Sequence, residues 1–89
     1  GAPGYLLDCQ ADLLSHLNTR FVVPLLPVDH APKPAGRLNP VFTVAGEACV
    51  MVTQFAAAVE RRECGLRVCS LADQDHAIVD ALDMLITGF

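Results

Sequence analysis

The sequence is short of basic residues: six lysines and arginines stand against ten aspartates and glutamates, giving 89 residues a net charge of −4. Proteins that bind duplex DNA or RNA usually present a basic face that neutralises phosphates and releases counterions. The basic residues are instead scattered along the chain, at Arg20, Lys33, Arg37, Arg61, Arg62 and Arg67. We therefore expect no direct nucleic-acid binding, and a protein partner is favoured.

Long apolar runs are also missing. No run approaches the ~20 residues of a membrane-spanning helix, and the sequence opens without a charged-then-apolar leader. These absences predict a soluble, cytoplasmic protein that makes no contact with a membrane.

The cysteines and histidines do not form a metal-binding pattern. The gaps between Cys9, Cys49, Cys64 and Cys69 contain no CxxC pair, and the three histidines are not at zinc-site spacing. Three of these cysteines fall within apolar runs and Cys64 adjoins one, which favours small buried hydrophobic residues over a redox role. We expect no metal and no cofactor.

Catalytic patterns are equally scarce. No serine, cysteine or threonine stands in a recognisable nucleophile motif, and the glycines form no phosphate-binding loop. Asp8 and Asp12 are four apart and could pair as acid and base, although such a pair more often faces solvent. Asp73 and Asp75 suit the positive end of a helix dipole. The sequence predicts no catalytic residue and no enzyme.

What the chain does have is apolar content, 53% of its residues against 18% charged. A chain of this length forms one domain, residues 1–89, with a modest core that needs no metal or disulfide. Apolar surface beyond that core is most simply buried in a homodimer.

The first half of the sequence predicts strands. Residues 5–9 are apolar and β-prone, and residues 21–26 are interrupted by Pro24, which removes a ladder donor and indicates an edge or a bulge. Residues 29–37 hold two prolines and a glycine, as an exposed loop would. Two apolar runs then flank a hairpin turn near residues 45–48.

The second half predicts shorter elements before a final helix. Residues 55–59 suit either a short helix or a fourth strand, and residues 65–69 alternate as a short strand. Ser70 is expected to cap the final helix, with Asp73 completing a capping box. The fold class is therefore mainly β: a small barrel-like domain with one C-terminal helix.

That helix, within residues 77–89 (AIVDALDMLITGF), is the most informative segment because it has almost no polar side. One predicted buried stripe comprises Ile78, Ala81, Leu82 and Leu85. Apolar residues widen it on both flanks: Val79 and Ile86 on one, Ala77 and Met84 on the other. The polar strip is narrow: Asp73, His76, Asp80, Asp83 and Thr87. The helix is either a well-buried core helix or one that packs on its own sheet with one flank and on another protein with the other.

The order of these features resembles the CcdB family of toxins. The resemblance runs through YLLDCQADLL, NTRFVVPLLP, LNPVF, a hairpin followed by TQ, and a terminal helix that ends in TGF, and it covers residues 5–89. It implies a homodimeric SH3-like β-barrel with a C-terminal helix. It also implies a plasmid-maintenance toxin of a type II toxin–antitoxin module, which binds the A subunit of DNA gyrase and traps the cleaved gyrase–DNA complex. A CcdA-like antitoxin would displace it.

The resemblance also implies a gyrase-binding site. In the family the contacts come from the end of the terminal helix and from a pair of aliphatic residues after the second strand. The matching positions are Leu13, Leu14, Asp83, Ile86, Thr87, Gly88 and Phe89.

The sequence departs from the family at this site. Thr87 stands at the family's Trp position and Asp83 at its Asn position. Loss of a Trp wedge costs about 2–4 kcal/mol, or about 30- to 1,000-fold in affinity, which predicts a weakened or inactive toxin. The family's first strand is also missing before Gly1, which would leave the strand at Tyr5 exposed to pairing with another chain.

Two alternatives remain from the sequence. A MazF-like endoribonuclease toxin would need a basic groove and acid–base groups, for which Arg20 and Thr19 are the candidates. A non-toxic relic that only binds antitoxin would share the fold without arresting growth.

Overall fold

The computed structural model describes residues 4–10, 14, 16–65 and 70–88. These residues form a curled antiparallel half-barrel sheet and one C-terminal α-helix, which confirms the mainly β fold class. The elements are β1 (Tyr5–Asp8), β2 (Thr19–Pro27), β3 (Val41–Val44), β4 (Glu47–Met51), β5 (Ala57–Glu60) and α1 (Asp75–Thr87).

Strand β2 is the centre of the sheet, whose order is β1-β2-β4-β3 with β5 also pairing β2. One edge of β2 pairs β1. The other edge is shared by two strands: Val22 is opposite Ala57 of β5, and Leu25 is opposite Met51 of β4. The nine residues of β2 therefore contact three strands.

Pro24 lies where this second edge changes partner, so of the two predicted positions, an edge or a bulge, the edge is wrong. On the β1 side Pro24 is opposite Leu6 in a pair that exchanges no hydrogen bonds, since bonded and non-bonded pairs alternate. On the other side its carbonyl accepts the N–H of Val52 at 2.9 Å. The reciprocal bond to the carbonyl of Val52 cannot form, because proline has no N–H. The pairing with β4 consequently ends at Leu25 and Met51.

Strands β3 and β4 form the predicted hairpin. The two-residue turn consists of Ala45 and Gly46, with φ of 51° and 80°. Two consecutive positive φ angles are typical of a type I′ turn, whose twist matches that of the flanking strands.

The core lies between one face of the sheet and α1. Alternate strand residues supply most of it, as expected when one face is buried. The buried cluster comprises Val23, Leu25, Phe42, Val44, Cys49, Met51, Ile78 and Ala81. Cys49 is a buried hydrophobic residue, as predicted.

The loop at residues 29–37 is largely exposed, as predicted, but its end is anchored. A 3-10 turn, Gly36–Leu38, packs against α1. Asn39, which follows this turn, is only 3% exposed. It donates to the carbonyl of Met51 at 3.0 Å and to Gln54 Oε1 at 2.8 Å, and it accepts from the N–H of Ala35 at 3.0 Å.

Three predictions for the second half have different outcomes. Of the two options for residues 55–59, the strand is the one found, as β5, after a 3-10 turn at Thr53–Phe55. The capping box is wrong: α1 begins at Asp75, and Ser70 Oγ accepts from the N–H of Ala72 at 3.2 Å, before a 3-10 turn. Of the strand predicted for residues 65–69, only Gly65 is among the described residues. Cys69 therefore also lies outside them.

No helix in the described ranges is long and apolar enough to cross a membrane.

Candidate functional site

Helix α1 carries an exposed apolar surface, here called the outer flank, formed by Val79 and Ile86, which are 52% and 79% exposed. Ile78 and Ala81 are buried in the core, and Leu85, one turn after Ala81 on the same side of the helix, is 41% exposed. The second sequence alternative predicted one exposed flank without specifying which, and the exposed flank is that of Val79 and Ile86; the sequence placed Leu85 in the buried stripe. Leu85 is exposed because it follows Ala81 by a full turn, where the helix has run beyond the buried cluster.

The C-terminal end of α1 is closed by its own polar groups. Gly88 adopts a left-handed conformation with φ of 78°, and its N–H donates to the carbonyl of Met84 at 2.9 Å. The hydroxyl of Thr87 donates to the carbonyl of Asp83 at 2.7 Å, one turn earlier. The side chains of Asp83 and Thr87 are exposed beside the outer flank, and Phe89 lies outside the described residues. Thr87, which the resemblance matches to a Trp, is therefore a short side chain that bonds its own helix.

Arg37 connects the loop to the second half of α1. Its Nε lies 3.2 Å from Asp80 Oδ2, and its Nη2 donates to Met84 Sδ at 3.8 Å. Asp80 and Met84 are one turn apart, so one guanidinium spans a full turn of the helix. No local pattern in the sequence signals this contact, because Arg37 is more than 40 residues away from Asp80.

Leu14 lies in the connection between β1 and β2 and is 44% exposed. Its carbonyl accepts from the N–H of Leu17 at 3.1 Å and from Gln10 Nε2 at 2.7 Å. These bonds stay within the β1–β2 connection, so they do not tie Leu14 to α1. Leu13 lies outside the described residues.

The candidate acid–base groups near β2 are held in an ion pair. Arg20 Nη2 is 2.7 Å and its Nε 2.8 Å from Asp8 Oδ2. The other carboxylate oxygen of Asp8 accepts from the N–H of Gln10 at 3.0 Å. Asp8 therefore ties β1 to β2, and Asp12 lies outside the described residues.

The described cysteines are free thiols, and two of them are in apolar surroundings. Burial, with a smaller contribution from the charge of Asp8, raises the pKa of Cys9 to about 11. Burial, followed by the charge of Glu47, also raises the pKa of Cys49. Both thiols are protonated and poorly nucleophilic at neutral pH. The described part of the chain has no group of three or more side chains placed to hold a metal ion.

The comparison with protein families gives one match. The family described as CcdB protein matches residues 2–88 of the chain. A search of curated proteins found no match.

Proposed function

The chain belongs to the CcdB family, and on that premise we propose that residues 1–89 form a single toxin domain directed at DNA gyrase. We propose further that it binds the gyrase A subunit and holds the enzyme on cleaved DNA. The family's members poison gyrase and are not themselves enzymes. A trap needs no catalytic group: it needs only tighter binding to the cleaved complex than to the uncleaved one.

The outer flank of α1 is the observation that carries this proposal. Val79 and Ile86 are seven residues apart and therefore lie on the same side of the helix. Full burial of one such side chain contributes about 1.5–3 kcal/mol. The flank adjoins Asp83 and Thr87, which the resemblance assigns to gyrase binding, and this adjacency supports the proposal.

Thr87 sets the expected strength of the toxin. A Trp supplies large, rigid contact area, whereas this hydroxyl is bonded to the helix backbone. We therefore propose that this protein binds gyrase more weakly than a member with Trp at that position. A non-toxic relic that binds only antitoxin is the second candidate, and Thr87 is the residue that favours it.

The decisive experiment measures whether the purified protein makes gyrase accumulate cleaved, linear DNA from a supercoiled plasmid. The informative variants are Val79→Ser, Ile86→Ser and deletion of Phe89. Val28→Ser is the matched control, because Val28 and Val79 are equally exposed. Linear DNA with the native chain and with Val28→Ser, but not with the three variants, would support a poison that acts through the outer flank of α1 and Phe89.

If no linear DNA forms, two explanations are possible, and measuring binding to the gyrase A subunit distinguishes them. If the native protein binds the gyrase A subunit without linear DNA, and Ile86→Ser binds more weakly, the weakened toxin is supported. If it shows no binding to gyrase but binds a cognate antitoxin, gyrase is excluded as the target and the relic is supported.

The remaining partners follow from the same premise. We propose a homodimer neutralised by a CcdA-like antitoxin, with no nucleic-acid binding by the toxin alone. Sedimentation velocity tests the dimer: one monomeric species at micromolar concentration would exclude it. The endoribonuclease alternative is disfavoured because Arg20 is ion-paired to Asp8. RNA that stays intact with both the native protein and Arg20→Ala would remove it.

A further inference from the structure

Gln10 bridges two separate backbone segments with one side-chain amide. Its Oε1 accepts from the N–H of Phe21, in β2, at 2.9 Å. Its Nε2 donates to the carbonyl of Leu14, in the β1–β2 connection, at 2.7 Å. Acceptor and donor of the amide are thus both used, each on a main-chain group.

The amide replaces a main-chain partner at the point where the chain leaves the sheet. Cys9 is opposite Phe21 and donates its N–H to the carbonyl of Phe21 at 2.8 Å. A regular antiparallel pair would return the N–H of Phe21 to the carbonyl of Cys9. Here Gln10 Oε1 accepts that N–H instead. The backbone can therefore turn away from the sheet after Cys9 while the N–H of Phe21 in β2 stays hydrogen-bonded.

We propose that Gln10 is a positioning residue, which fixes the backbone of Leu14 against β2 so that the exposed Leu14 side chain is presented to the partner. The carbonyl of Leu14 receives two donors, Gln10 Nε2 and the N–H of Leu17, and this fixes the orientation of its peptide group. The inference rests on the proposed gyrase-binding role of Leu14.

Two substitutions separate the two bonds of the amide. Gln10→Glu keeps an acceptor for the N–H of Phe21 but places an oxygen against the carbonyl of Leu14. Gln10→Met has a similar size and removes both bonds. Gln54→Glu controls for the added charge, because Gln54 accepts a bond through Oε1 that a carboxylate retains.

Amide hydrogen exchange measures the positioning directly. In Gln10→Glu the amide of Leu17 should exchange about five-fold faster, the factor for one net hydrogen bond, while that of Phe21 keeps its rate. In Gln10→Met both amides should accelerate, and in Gln54→Glu neither should. An unchanged Leu17 rate in both Gln10 variants would overturn the proposal.

A binding cycle with the gyrase A subunit tests what the positioning is for. Leu14→Ala should weaken binding less in the Gln10→Glu background than in the native one, since the two residues act as one unit. An equal loss in both backgrounds would overturn the functional part of the inference, even if stability fell. If the native protein does not bind gyrase at all, the proposed function fails, while the exchange rates still decide whether Gln10 holds Leu14.

Discussion

Asn39 is a polar residue in a nearly water-free position, where an unbonded amide would cost about 1–3 kcal/mol. Two of its three hydrogen bonds join the end of the loop to Met51 and Gln54, and the third is accepted from Ala35 within the loop. Thr53, also buried, donates its hydroxyl to the carbonyl of Leu38 in the same region. These two side chains fix the 3-10 turn from which Arg37 reaches α1.

Asn39→Asp should destabilise the protein by about 2–4 kcal/mol, because it removes both donors and buries a carboxylate against two oxygens. Urea unfolding followed by circular dichroism gives the value. Gln54→Ala is the control: it removes one bond at an exposed residue and should cost under about 1 kcal/mol. Equal losses in the two variants would show that Asn39 is not the main anchor.

Ala45→Asn should stabilise the protein. Ala45 has φ of 51°, a conformation that costs an L-residue about 1–2 kcal/mol and that Asn tolerates better. Asn-Gly is also the preferred pair for a type I′ turn. We expect a gain of about 0.5–1 kcal/mol, or about 3–6 °C in Tm. Ala48→Asn, in β4, should give no gain, and a Tm equal to the native value in Ala45→Asn would contradict the turn assignment.

At the scale of elements, local patterns in the sequence were enough to predict features that depend on neighbouring residues, namely the buried face of the helix and the hairpin. The 3.6-residue period located the buried side of α1 through Ile78 and Ala81. The two apolar runs located the hairpin, whose turn was predicted near residues 45–48 and lies at Ala45 and Gly46. Long-range contacts had no such signal. The partner change at Pro24 and the anchoring of the loop depend on strands distant in sequence, so they were predicted wrongly or not at all.

The candidate site likewise combines features that local patterns predict with features that depend on long-range contacts. Surplus apolar surface in the helix pattern predicts one exposed flank, but the choice of Val79 and Ile86, like the exposure of Leu85, depends on where the core lies. Leu14 entered only through the family resemblance. The roles of Gln10 and Arg37 became visible only when hydrogen-bond partners were known.

Arg37 should align the second half of α1 more than it stabilises the fold. Because Arg37 and Asp80 are both about half exposed, we expect a coupling of about 0.2–1 kcal/mol in a cycle of Arg37→Gln and Asp80→Asn. The amides near Met84 should lose more exchange protection in Arg37→Gln than in Asp80→Asn, since only the former also removes the contact to sulfur. Equal protection in both variants would mean that the sulfur contact does not contribute.

At the scale of the whole molecule, Cys9 makes the free energy of unfolding depend on pH in the alkaline range. Its pKa is raised from an ordinary 9.0 to about 11 in the fold, so the unfolded chain loses the thiol proton first as pH rises. The stabilisation from the neutral thiol is fully present below pH 9 and is lost as pH increases through 11.

Denaturant unfolding at several pH values tests this linkage by comparing the native chain with Cys9→Ala. The difference in unfolding free energy between the two proteins should be constant from about pH 7 to 8 and should shrink at higher pH. A difference that stays constant up to pH 11 would show that the Cys9 thiol ionises equally in the folded and unfolded chains.

The partner change at Pro24 also restricts how the chain can misfold. During folding β2 must select β1, β4 and β5, and a shift of one residue would turn every side chain to the wrong face. Any pairing in which β4 or β5 runs past Pro24 leaves a strand carbonyl without its donor. One proline in the middle of the most contacted strand thus disfavours misregistered sheets, including those in which a strand of a second chain replaces β4 or β5.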